Sequence, residues 1–148
     1  MIPIEMERFM ERVTIEILEQ YRGITAEIKA LEMEIEALYD VRKSPNGHEA
    51  SGSTGPGDPT GKAAMRIIEL TDHKLELLTR WSEMLLTIEK WLETVNDAEI
   101  RSIIRWRYML GCGWKTTAKR VYGDSDHSDA CRKRIKRFFH GENKTATI

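Results

Sequence analysis

"WKTTAKRVYGDSDHSDACRKRIKRFF", residues 114–139, is the stretch on which the fold turns. Trp114, Ala118 and Val121 recur at i, i+4 and i+7, which gives a short helix one apolar face. Gly123 and the polar "DSD" then break the pattern, and Asp126 is placed to cap a new helix, with Asp129 near its positive N-terminal end. Cys131, Ile135 and Phe138 repeat the i, i+4, i+7 spacing. Around them five cations fill six positions, Arg132, Lys133, Arg134, Lys136 and Arg137, and those at 132, 133, 136 and 137 fall away from the apolar face. Two short helices about a glycine turn, the second basic on its free side, predict a helix-turn-helix. Like charges packed this densely repel one another unless a polyanion neutralises them. The competing reading is a basic helix that complements an acidic protein partner or the chain's own acidic half.

Immediately upstream, "NDAEIRSIIRWRYMLGCGW" predicts a third helix. Asn96 reads as its N-cap with Glu99 three residues on, a capping-box arrangement, and Gly111 and Gly113 read as its end. Charge separates this region from the rest. From Glu99 onward twelve Lys/Arg face five Asp/Glu, whereas the preceding residues hold eleven against nineteen, and the +7 and −8 sum to the net −1. One acidic and one basic half imply separate tasks.

The acidic half reads as a long antiparallel helical hairpin of coiled-coil type. Ile17, Tyr21, Ile24, Ile28, Leu31, Ile35 and Leu38 step by four and three, with Met10 and Val13 extending the stripe upstream. Residues 44–61, rich in Pro, Gly and Ser, predict a flexible loop. A second helix from about Lys62 to Val95 carries three apolar rows, wider than a two-stranded seam needs. The row Leu70, Leu77, Met84 and Trp91 is therefore expected to cover itself against a second subunit, or else against the basic half. The expected organisation is all-α: a hairpin and oligomerisation arm over 1–95, a three-helix helix-turn-helix domain over 96–140, and a disordered tail over 141–148.

Other classes find little footing. A chain of 148 residues with 41% hydrophobic and 32% charged residues builds one domain or two small modules. It contains no run of about 18 apolar residues to span a bilayer, and its acidic start does not resemble a secretory signal, so a soluble, cytoplasmic protein is expected. Cys112 and Cys131 read as free thiols. The four histidines form no acid–base constellation, and His127 with Cys131 lacks the second ligand pair a metal site needs. No enzyme, cofactor or metal is expected.

The stretch "NDAEIRSIIRWRYMLGCGWKTTAKRVYG" resembles the sigma-factor region-four-like helix-turn-helix of small phage and prophage transcriptional regulators of the RinA/ArpU type. The likeness rests on the acid-rich helix start at Asp97–Glu99, Arg107–Tyr108, the glycines at 111 and 113, Trp114 and Ala118. "GDSDHSDACRKRIKRFF" is similar to a variant whose recognition helix opens with "DSVRK" and closes on an aromatic pair, and "GDPTGKAAMRIIEL" resembles the loop before the second helix of those proteins. Gly123 departs from the usual spacing by following Ala118 at five residues rather than four. The resemblance implies a sequence-specific double-stranded DNA-binding regulator, with RNA polymerase as a further candidate partner. It places Lys115, Thr116 and Lys119 on backbone phosphates, His127, Ser128, Arg132 and Lys133 at the major groove, and Lys136 and Arg137 on phosphate. Asp129 either caps the helix or accepts from a cytosine. A homodimer would present two heads to half-sites about 34 Å apart. A higher homo-oligomer of the phage DNA-packaging, small-terminase-like kind is the alternative, and a coiled-coil protein-interaction module without DNA binding is the third.

Overall fold

The computed structural model describes residues 13–43 and 59–145, and among them every regular element is helical. Helix α1 spans Ile15–Lys43, α2 Pro59–Leu92, and α3 Ala98–Ile104, which runs on into a π-helical turn, Arg105–Met109. Helix α4 spans Trp114–Tyr122, and a single 3-10 turn, Ser125–His127, leads into α5, Ser128–Thr145. The all-α expectation holds. Pro59 opens α2 ahead of the expected Lys62, and proline suits a first helical turn, where its missing N–H breaks no helical bond. Of the loop expected over 44–61, residues 44–58 lie outside the described residues, as does Met10. The tail expected from 141 is in fact helical through Thr145. Among the described residues no helix is long and apolar enough to cross a membrane.

The chain divides into two compact units, residues 13–25 with 82–145, and residues 26–43 with 59–81. The domain boundary expected at residue 95 therefore does not separate hairpin from basic half, because 82–95 pack with the C-terminal helices.

In the unit of residues 26–43 and 59–81, α1 and α2 run antiparallel. Arg66 reaches Glu34 at 3.6 Å, His73 lies 3.4 Å from Glu27, and Lys74 lies 3.2 Å from Glu32, so the earlier α2 residue meets the later α1 residue and the two α2 residues further on meet earlier ones. These pairs are half in water and stabilise weakly. Burial of Ile28, Leu31, Ala63, Ile67, Leu70 and Leu77 supplies the main cohesion.

The other unit is built on Leu18, Tyr21, Ile88, Trp91 and Leu92, covered by Ile100, Ile103, Ile104, Tyr108, Ala118, Cys131 and Ile135. Trp91 stacks on Phe139 with centroids 5.7 Å apart and meets Phe138 edge-on at 6.4 Å. Bidentate bonds from Arg105 to Glu89, at 2.9 and 3.1 Å, tie the π turn to α2. The guanidinium of Arg22 donates to the Gly111 carbonyl at 3.3 Å. Leu18, fully buried, lies outside the stripe read from the sequence.

The oligomerisation row is a correction. Leu70, Leu77 and Trp91 are only 4–6% exposed within a single chain, and Met84 is half-buried. The wide apolar arc of α2 is covered intramolecularly, by α1 around Leu70 and Leu77 and by the α5 phenylalanines at Trp91, so the row offers no free face to a second copy. Leu77→Ala is accordingly expected to cost about 2–5 kcal/mol of stability. The check is a lowered urea midpoint with no change in molar mass by sedimentation; dissociation of an assembly at unchanged monomer stability would contradict it.

Candidate nucleic-acid interface

The candidate surface is positioned by helix ends. Asp97, at φ −83°, caps α3: its Oδ1 accepts from Glu99 N at 3.0 Å and Ile100 N at 3.3 Å. The cap is thus one residue later than Asn96, and the Glu99 carboxylate turns to Arg134 instead of closing a capping box. After Ile104 the helix loosens by one residue per turn, with Leu110 N donating to Arg105 O at 2.8 Å and Cys112 N to Trp106 O at 3.0 Å. Gly111, at φ 75°, then reverses the chain, and Gly113, at φ −67°, opens α4 rather than closing α3. Helix α4 ends on Gly123 at φ 83°, where its N–H reaches Lys119 O at 2.8 Å; only glycine enters this left-handed region cheaply. The five-residue spacing from Ala118 to Gly123 is therefore met by a regular left-handed helix end. Asp124, not Asp126, holds the following turn, accepting from Asp126 N at 2.9 Å.

Helix α5 is sorted by its core contacts. Cys131 and Ile135 are buried and Phe138 half-buried, which fixes its inward face. Arg132, Lys133, Lys136 and Arg137 are all exposed. At 100° per residue they share an arc of about 140°, opposite the buried face. Arg132 lies 3.8 Å from Asp129. Among the described residues no acid stands within ion-pair distance of Lys133, Lys136 or Arg137. Asp129 is exposed in the first turn of α5.

On α4, Lys115, Thr116 and Lys119 are exposed on the side away from the buried Thr117 and Ala118. His127 is exposed, 3.7 Å from Asp124 and with its ring 5.8 Å from that of Tyr122, while Ser128 is half-buried at the start of α5. The structure thus gathers Arg132, Lys133, Lys136 and Arg137 on one helical surface and Lys115, Thr116 and Lys119 on another. His127 and Ser128 sit at the turn between the two helices.

Several features were missed. Arg134, inside the cation run, donates from Nη2 to Asp97 Oδ2 and from Nε to Glu99 Oε2 at 3.4 Å. On the helical wheel it falls between Arg137 and Phe138, at the flank of the buried face, which was a signal that it lies outside the basic arc. Arg107 lies over the Trp114 ring, 4.5 Å from its centroid, and donates to Cys112 O at 3.3 Å. Arg120 lies 5.2 Å from the Trp106 centroid. Burial depresses the Arg107 guanidinium from its ordinary value, with Arg22 adding repulsion. Burial and a hydrogen bond with Glu99 push the Tyr122 phenol up. No group of three or more His, Cys, Asp or Glu gathers among the described residues to hold a metal ion. Cys131 is enclosed in the core, whereas His127 is exposed.

Burial pushes the Cys131 thiol up to about 11, from 9.0 for an exposed thiol, and Tyr108, buried near the Glu19 carboxylate, up to about 12 from 10.0. In both, the folded state holds its proton more tightly than the unfolded chain. Their stabilising contribution is complete below pH about 9 and is lost as pH rises through 9 to 12. Urea midpoints should fall between pH 8.5 and about 10.5, and Cys131→Val should shrink that fall; a midpoint flat across the range would contradict the burial of these groups. No family model, curated protein or solved structure matches the chain.

Proposed function

We propose that this protein binds double-stranded DNA in a sequence-specific manner, with α4 and α5 as a helix-turn-helix and α5 in the major groove, and that it acts as a transcriptional regulator. The observation that carries the proposal is the sorting of the cation run. Arg134 turns inward to two carboxylates, while Arg132, Lys133, Lys136 and Arg137 remain exposed together, three of them without an acid nearby among the described residues. A helix stabilised only by solvation gains nothing from concentrating four like charges on one arc; a phosphate backbone repays that repulsion by counterion release. Helix α5 is narrow enough for the major groove, and its N-terminal half carries Arg132 and Lys133, whose donors suit guanine edges. Lys115, Thr116 and Lys119 near the start of α4 support the same reading as phosphate contacts on the neighbouring helix.

Titration of a fluorescent duplex from about 50 to 200 mM salt tests it. Affinity should fall steeply with salt, and Arg132→Ala with Lys133→Ala should weaken binding of a selected duplex at least tenfold and relax its preference over a scrambled one. Binding that ignores both salt and the double substitution would leave the protein-interaction reading in its place.

A further inference from the structure

We infer that Arg134 is a positioning residue for duplex recognition: through Asp97 and Glu99 it fixes the rotation of α5, and it does not touch phosphate. The inference rests on the DNA-binding reading and deepens it. Arg134 sits among the exposed cations in sequence, yet its side chain is 31% exposed and its guanidinium is engaged by two carboxylates, from residues 37 and 35 positions away.

The geometry is specific. The Oδ1 atom of Asp97 caps α3 through Glu99 N and Ile100 N, and its Oδ2 accepts from Arg134, so one carboxylate joins the first turn of α3 to the middle of α5. Glu99, two residues on, accepts from Arg134 Nε at 3.4 Å. A planar guanidinium addresses the two acids from separate nitrogens, Nη2 and Nε, in one fixed plane; an ammonium offers three rotatable donors on a single nitrogen and fixes no such plane. Ion pairs this exposed stabilise little, so energy alone does not account for such an arrangement. Direction does. The Cys131 and Ile135 contacts of α5 are apolar and non-directional, and cores of that kind tolerate small rotations by repacking. Reading base edges requires side chains held within about 10–20°. The bridge supplies an angular stop that the apolar face lacks.

The test uses the full chain, a duplex selected from a random pool, and a scrambled duplex of the same length, titrated by fluorescence anisotropy across a salt series. Arg134→Gln is expected to weaken the selected duplex about tenfold while leaving the scrambled duplex and the salt slope as in the parent; Lys136→Gln should weaken both duplexes and lower the slope by about one. Arg134→Lys should fall between parent and Arg134→Gln. Asp97→Asn keeps a capping oxygen, so α3 still starts normally, and it should reproduce the Arg134→Gln result even if that variant folds poorly. A slope lowered in Arg134→Gln as in Lys136→Gln would make Arg134 a phosphate contact and overturn the inference. An unchanged ratio of selected to scrambled affinity in both Arg134→Lys and Asp97→Asn would overturn it as well, leaving DNA binding standing. A parent protein with no salt-dependent duplex binding would overturn both.

Discussion

Burial of the Cys131–Ile135 face of α5 is the constraint from which the rest of the basic region follows. Once those side chains enter the core, helical periodicity assigns every neighbour a direction. Arg132, Lys133, Lys136 and Arg137 must face outward, and Arg134 must lie at the flank, where Asp97 and Glu99 receive it. At the C-terminal end of the same face, Phe138 and Phe139 meet Trp91. That contact draws the end of α2 into one compact unit with the C-terminal helices, and it covers Trp91, the last residue of the expected oligomerisation row.

Local devices do the shaping that hydrophobicity cannot. Gly111 and Gly123 place the chain in left-handed conformations at the ends of two helices, which turns short segments sharply enough to pack against one another. Between them, Arg22 and Arg107 hold the carbonyls of Gly111 and Cys112, satisfying acceptors that the end of a helix leaves open. Aromatic faces under Arg107 and Arg120 allow these cations to lie on apolar surface while remaining charged.

What could be read from the sequence followed the range of each signal. The α1 stripe from Ile17 to Leu38, the apolar faces of α4 and α5, and the outward side of the cations depend on spacing within one helix, and all were legible. The end of α4 at Gly123 was legible for the same reason, since a left-handed residue has few alternatives to glycine. The α3 cap was misplaced by one because Asn96 and Asp97 have equal intrinsic capacity; Asp97 alone also faces a cation. The Leu70–Trp91 row was legible as apolar, but periodicity reports that a face is covered and not by what: the basic half, the second of the two expected covers, meets Trp91, whereas Leu70 and Leu77 are buried in the other unit. The Arg134 bridge closes over 37 residues, and no local pattern encodes it. As for the candidate site, the residues that face solvent were legible, whereas the residue that orients them was not.

The π turn at Arg105–Met109 carries a consequence for how this chain tolerates changes in length. A π turn accommodates one residue more than the α geometry around it, so everything after it is offset by one residue, about 100° about the helix axis. A shortened chain lacking a single residue between Ile104 and Leu110 would close into continuous α-helix. Tyr108, Gly111 and the start of α4 would then emerge on a different side, detaching the Gly111 carbonyl from Arg22. A point substitution keeps the length of this turn, but a one-codon deletion is a rotation of everything that follows it.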